Sequence, residues 1–460
     1  MITASAAGSV RALDAELITD LADAQAIATE WDALAVAASS PVATPAWVLS
    51  WWCQVASSDI QPRLVAVRHR GRLVGLAPFY VANAIWGTVE YRLMGGNFGM
   101  RMEPLALPGR EWDVAAEIAR MLASCTPRPD LVAFGPIGVT SHWPPALREG
   151  WHGAVPALVR SYRVVGEPVV ILREPTFDAW LASLGAASRR NLRHEQRLFE
   201  GAGGTVRWTT AETLRADAEA FSRLHVARWA GRAPSRLVDL GARLPDWVEQ
   251  LGRDLIDQGR FRMCMLEVDG SPICADFYLM AGDQLAGVNR GWDDRYARLA
   301  PGKLATVLAI QDAYRWGCRR VSLGIGAHPY KLIFANGNDP ATLSTTIMPP
   351  SLRLPGTYAR AVPGLLRERT REILKRALPA DQFEALRAMQ ARLRPESRPA
   401  RSPGQGGVPP SGELPAPAQP SRRRVRALAG SRPRAQTGGT VPPRPRAPRR
   451  SDRPPLRKPE

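Results

Sequence analysis

Between residues 27 and 350 the apolar positions switch repeatedly between a period near 3.6 and a period of two, a pattern that predicts a mixed α/β chain. Ile27, Trp31 and Leu34 recur at helical spacing. Thr44 before Pro45 supplies an N-cap with proline at the first helical position, opening a helix whose apolar face carries Trp47, Val48, Trp51 and Trp52. Residues 63–69 and 72–81 read as strands joined by Arg70 and Gly71, a hairpin. A strand at 91–93, an amphipathic helix at 112–122 and a short buried strand at 131–134 follow, with 95–108 as loop.

The same order of elements returns at larger scale. Helices are expected at 177–184 and 188–200, a strand at 205–208, and helices at 213–229 and 247–257. Residues 261–268, 272–280 and 284–291 then alternate as strands around Asp269-Gly270 and Gly282-Asp283, an antiparallel meander. A helix at 303–316, a strand at 320–324, a helical turn near Tyr330 and a last strand at 342–348 complete this half. Two halves with one element order predict a duplicated α/β unit, with domains at 1–160 and 168–350. Two further helices, 356–376 and 380–393, predict a helical extension over 351–394.

Composition changes the picture at the C-terminal end. The formal charge is +18, but residues 391–460 hold 17 Lys and Arg against 4 Asp and Glu, together with 16 of the 41 prolines. A segment so poor in aliphatic residues cannot offset its ordering entropy, and 395–460 is expected to be disordered. That tail is a candidate contact for nucleic acid or an anionic surface. Arginine-heavy coding explains it equally, since only four of the 61 basic residues are lysine. Residues 1–390 are only mildly basic. The five cysteines stand singly with no histidine partner at ligand spacing, as core thiols of a reducing compartment do, and no metal is expected. No window approaches the run of about 20 apolar residues that a membrane span requires, and the N-terminus lacks a leader's apolar region, so a cytoplasmic location is expected.

P-loop, nucleophile-elbow and zinc-hydrolase motifs are missing, and Gly324-Ile325-Gly326 lacks the third glycine of a dinucleotide fingerprint. The informative passage runs from Gly291 to Leu304, between a strand and a helix that Pro301-Gly302 opens. Unpaired N–H groups and the positive end of a helix dipole converge there, suiting a pyrophosphate, and Lys303 adds charge. Asp276 interrupts an apolar strand, so its carboxylate must be salt-bridged or functional.

Five separated pieces carry a family likeness: Ser188-Arg189-Arg190-Asn191-Leu192-Arg193 with Arg197-Leu198; Leu224-His225 with Arg228-Trp229; Asp293 and Tyr296; Pro301-Gly302; and Gly326 with Tyr330-Lys331 and Phe334. In this order they resemble the CelD-type, or cellulose-biosynthesis-type, GNAT acyltransferases, relatives of the FemABX aminoacyltransferases. Pro41 to Trp52 looks like the N-terminal half of that family. The cofactor loop departs from the standard GNAT pattern, reading Arg298-Leu299-Ala300-Pro301-Gly302-Lys303-Leu304-Ala305 with one glycine.

The resemblance implies two tandem GNAT-like (acyl-CoA N-acyltransferase) domains with mixed, largely antiparallel sheets. It implies transfer from acetyl-CoA or another acyl-CoA to an amine or hydroxyl of a small or cell-envelope-related acceptor, by direct attack without a covalent intermediate. The thioester is expected beside the strand at 284–291, against a splayed backbone N–H. Gly291, Pro301, Gly302, Lys303 and Lys331 are the expected cofactor contacts. Tyr330 is the expected acid for the leaving thiolate and Asp276 the base, against packing and salt-bridge readings. Arg189, Arg193, His225, Arg228 and Trp229 are the expected acceptor contacts, against structural roles. FemABX-like aminoacyl transfer from charged tRNA, and a non-catalytic scaffold in polysaccharide biosynthesis, are the competing functions.

Overall fold

A computed structural model describes residues 13–350, apart from 58, 84–87, 97, 152–156 and 230–234. The expected helices at 356–376 and 380–393 and the arginine-rich tail lie outside the described residues.

The first half runs β1 (Asp14–Ile18), α1 (Leu21–Ala26), α2 (Ala28–Ala37), α3 (Pro45–Val55), β2 (Ile60–His69), β3 (Arg72–Asn83), β4 (Val89–Leu93), β5 (Leu105–Ala106), α4 (Glu111–Ser124), β6 (Leu131–Phe134), β7 (Ile137–Gly138), α5 (Trp143–Gly150) and β8 (Leu158–Val165). Thr44 caps α3 as its sequence predicts, its Oγ accepting from the Trp47 N–H at 3.3 Å. Arg70 (φ 54°) and Gly71 (φ 79°) turn the β2–β3 hairpin in two residues, both left-handed as a tight hairpin of this twist requires. Among the described residues of 95–108, the stretch expected as loop, only β5 is regular structure. Strand β1, which the sequence did not reveal, pairs with β2 as an edge.

The second half runs β9 (Pro168–Ile171), α6 (Phe177–Ser183), α7 (Ala186–Gly201), β10 (Gly204–Trp208), α8 (Leu214–Trp229), α9 (Leu244–Leu255), β11 (Phe261–Val268), β12 (Ser271–Ala281), β13 (Gln284–Trp292), α10 (Pro301–Arg315), β14 (Arg320–Ser322), α11 (Pro329–Leu332), β15 (Gly337–Asn338) and β16 (Ala341–Met348). The meander β11–β12–β13 forms in the expected place.

Two mixed, largely antiparallel sheets result. The first has nine strands in the order β1-β2-β3-β4-β6-β16-β7, with β5 beside β3 and β8 beside β16; the second has seven, β10-β11-β12-β13-β14-β9-β15. One expectation is corrected here. The strand at 342–348 was assigned to the second domain, but β16 pairs with β6, β7 and β8 in the first sheet. The sequence marks β16 as a half-buried strand, which fixes its character and leaves its partner open. The chain passes from the first sheet to the second between β8 and β9 and crosses back at β16.

An aromatic cluster joins the halves. Trp47 of α3 meets Trp247 of α9 edge-on at 5.3 Å between ring centroids, and Phe98 meets Trp247 at 5.1 Å. Trp47 and Trp247 are fully buried, so the tryptophan stripe read from the sequence is core shared between the halves.

Candidate active site

The site begins with a fork in the second sheet. Strands β13 and β14 run parallel for three residue pairs, Gln284↔Arg320 to Ala286↔Ser322, and beyond them β13 continues to Trp292 paired with β12 but no longer with β14. A bulge on β13 opposite Phe277 and Tyr278 adds one residue, so that Phe277 faces Asn289 and Tyr278 faces Gly287. Bulges twist and bend a strand, and this one lies just where β13 leaves β14.

Helix α10 starts beside the fork. Ala300 adopts the left-handed conformation (φ 50°, ψ 44°), Pro301 occupies the first turn, and no side chain caps the terminus. Gly302 matters for space: a Cβ there would lie 3.1 Å from Arg290 Nη1. Its bare backbone lets the guanidinium pass beneath the helix terminus.

A cavity of about 660 Å³ opens onto both features. Of the residues expected from the sequence, Asp276, Tyr330, Pro301, Gly302, Lys303, Lys331, Arg228 and Trp229 line it together. Arg189 and Arg193 do not. On α7, Arg189 donates to the Ala182 carbonyl of α6 at 2.6 Å and Arg193 to the Arg189 carbonyl at 3.3 Å, so the first ties α7 to α6 and the second braces its own helix. Gly291 also lies outside the cavity wall. A Cβ on it would fall 2.4 Å from the His225 nitrogen, so this glycine lets α8 lie directly against β13.

The electrostatic centre is a buried pair across β12 and β13. Asp276 and Arg290 are cross-strand partners, and Asp276 Oδ2 accepts from Arg290 Nε at 2.8 Å, from Arg290 Nη2, and from the Tyr278 hydroxyl at 2.6 Å. Arg290 Nη2 also donates to Thr306 Oγ1 at 2.8 Å, which ties the pair to α10. The Arg290 guanidinium sits 5.6 Å from the Tyr330 ring centroid. Burial raises the Tyr330 phenol above its ordinary range, against the opposing charge of Arg290, and keeps it protonated at neutral pH.

Lys331 is buried and donates to the Gly324 and Ile325 carbonyls at 2.9 and 3.1 Å. Burial, with Arg290 nearby, lowers its ammonium to about 8. It therefore braces the loop after β14 while forming part of the cavity wall. Lys303 is ion-paired with Glu195 of α7. Arg228 lies over the Trp292 ring at 3.9 Å and bonds Asp294 at 2.7 Å.

His225 is fully buried beneath this wall. Its Nδ1 lies 3.1 Å from the Arg290 carbonyl oxygen, which can only accept, so Nδ1 carries the proton and Nε2 accepts from Ser235 Oγ at 2.9 Å. Burial pushes its pKa down to about 4, leaving the ring neutral at pH 7. Trp229 Nε1 donates to the same Arg290 carbonyl at 3.3 Å.

Sequence reasoning missed Arg290, Tyr278 and Thr306. It also missed Phe98, Gly99 and Met100, which bring the first half into the cavity wall. Arg290 carried a signal, being a charge inside a predicted strand like Asp276; the loop residues carried none. Among the described residues no group of His, Cys, Asp and Glu could hold a metal ion, and no helix is long and apolar enough to cross a membrane.

Residues 186–332 match the family described as Acetyltransferase (GNAT) domain. No curated protein matches the chain. Among solved structures, FemX is similar with a TM-score of 0.52 at 10% identity, over 75% of this chain and 99% of that one. A tandem GNAT protein from the clavulanic acid biosynthesis pathway is similar with a TM-score of 0.39 at 15% identity, over 74% of this chain and 99% of that one. At such identities the likeness to FemX speaks to fold alone. Residues 186–332 are thus similar to a GNAT acetyltransferase domain, and the fold around them is similar to that of FemX.

Proposed function

We propose that the protein transfers an acyl group from acyl-CoA directly to an amine or hydroxyl of a small or envelope-related acceptor, in the manner of the CelD-type acyltransferases its motifs resemble. One observation carries this reading: the β13–β14 fork, the uncapped start of α10 and the half-buried phenol of Tyr330 open onto a single cavity, walled mostly by residues of the segment that matches the GNAT family.

In this reading the pyrophosphate of the acyl-CoA rests on the first turn of α10, where free N–H groups and the helix dipole favour an anion. The thioester lies at the fork, where backbone N–H groups freed from strand pairing polarise its carbonyl. Tyr330 delivers a proton to the departing sulfur. Asp276 has a different task from the base first considered. Its carboxylate is taken up by Arg290 and Tyr278, and its role is to fix Arg290 between β13 and α10.

The second reading is aminoacyl transfer from charged tRNA, as in the FemABX aminoacyltransferases; the FemX-like fold running through both halves favours it. Calorimetric titration of acetyl-CoA and longer acyl-CoAs into the full-length chain separates the two. Micromolar binding that Gly302→Glu abolishes is the expected result, because the new side chain fills the space above Arg290 and repels the phosphates. No binding to any acyl-CoA refutes the proposal and leaves aminoacyl transfer or a non-catalytic scaffold.

A further inference from the structure

The cavity beside α10 holds the acid of the proposed reaction, Tyr330, while Asp276, the carboxylate in its wall, is committed to Arg290 and Tyr278. A direct transfer also needs a group that takes a proton from the acceptor. Most ionisable groups around the cavity are in the wrong state or already engaged. Arg228, Arg236 and Arg290 are permanent cations, paired with Asp294, Asp239 and Asp276. Lys303 is ion-paired with Glu195, and burial keeps the phenols of Tyr278 and Tyr330 protonated. Lys331, with its pKa at about 8, is still mainly an ammonium at pH 7 and holds the Gly324 and Ile325 carbonyls. Among the described residues of the wall, His328 is left.

The chain builds a fixed seat for this histidine. Gly324 (φ 75°) and Gly326 (φ 98°) carry the segment after β14 through conformations that favour glycine. The Gly326 N–H donates to the Gly166 carbonyl at 2.8 Å and the His328 N–H to the Gly326 carbonyl at 2.9 Å, while the His328 carbonyl accepts from the Lys331 N–H at 2.9 Å. The missing side chain of Gly326 leaves room for the ring, since a Cβ there would stand 3.3 Å from His328 Nε2. The imidazole lies nearly parallel to the Tyr330 ring, with 6.2 Å between centroids and 16° between planes. Neither ring nitrogen has a hydrogen-bond partner among the described residues, in contrast to His225, whose two nitrogens are both engaged. Partial burial, with the Lys331 ammonium nearby, lowers the His328 pKa below its ordinary value of 6.5, so the free ring is neutral at pH 7.

Resting on the acyltransferase reading above, we propose that His328 is the general base of the reaction, taking the proton that the acceptor must lose. With an amine acceptor, one ammonium proton passes to a ring nitrogen of His328 and from there to solvent, which reaches the exposed residue. The freed amine forms the C–N bond as the C–S bond breaks. Tyr330 gives its proton to the departing sulfur and recovers one from the acylated nitrogen. Acid and base are thus two residues apart, at the start of one short helix.

The test follows thiol release from acetyl-CoA by the full-length protein, with putrescine, ethanolamine and glucosamine as acceptor probes and with water alone. In the wild type the rate should fall as pH drops below 6.5, where His328 takes up a proton. His328→Gln should lower the rate at pH 7 about a hundredfold and lose that acidic limb, while its calorimetric affinity for acetyl-CoA and its urea midpoint stay unchanged. His328→Ala should regain rate when free imidazole is added, which a merely structural histidine would not allow. The proposal is overturned if His328→Gln keeps the rate within about threefold, if its acidic limb persists, if imidazole does not restore His328→Ala, or if acetyl-CoA binds and thiol release never exceeds that in buffer. Failure to bind acetyl-CoA at all refutes the acyltransferase reading itself and is read separately.

Discussion

Replacing Asp276 by Asn removes one charge from the buried pair at the fork and little else. Asp276 is 3% exposed and its partner Arg290 has a side chain only 17% exposed, so neither can turn to water. The amide can still accept from Tyr278, but Arg290 keeps a full positive charge in a site that burial already penalises. Breaking such a pair from one side costs about 3–5 kcal/mol, because the remaining charge is left uncompensated. Adding Arg290→Met removes that charge, and the double variant should recover about 2 kcal/mol relative to the sum of the singles. Urea unfolding of the wild type, both single variants and the double variant gives all four corners of the cycle. A loss below about 1 kcal/mol for Asp276→Asn, or strict additivity, would show that the carboxylate does not anchor Arg290, and would restore Asp276 as a candidate base.

Two further outcomes follow from the same neighbourhood. His225, whose pKa falls to about 4 from an ordinary value of 6.5, is bound by fewer protons folded than unfolded in that interval, so stability should fall as pH drops from 6.5 to 4, by about 3 kcal/mol in all; His225→Gln should flatten that part of the urea-midpoint profile. Trp247→Ala should cost about 3–5 kcal/mol in urea unfolding, since it empties a fully buried site against Trp47, Phe98 and Phe277.

The meander, its turns and the start of α10 were legible because short-range chemistry sets them: Asp269-Gly270 permits a left-handed turn and Pro301 fits a first helical turn. Asp276 stood out as a charge among apolar neighbours. Its partner did not, for a reason of register. Counting outward from the Gly282-Asp283 turn pairs Asp276 with Asn289, and only the bulge moves Arg290 opposite. Nothing in Val288 or its neighbours announces an extra residue. The sequence suggests Gly291 as a cofactor contact, whereas the structure uses its missing side chain for helix packing. Long-range choices were beyond pattern reading for the same kind of reason. Which sheet takes β16, and which loop brings Phe98 and Met100 to the cavity, depend on partners more than a hundred residues away.

The return of β16 to the first sheet also orders events during synthesis. Strands β6 and β8 emerge from the ribosome with the strand that lies between them still some two hundred residues behind, so the nine-stranded sheet stays open along that seam until residue 348 is available. The seven-stranded sheet, whose strands all lie between residues 168 and 338, can close first. The C-terminal half is then a folding template for the half that precedes it, and the N-terminal half has no complete fold of its own to reach.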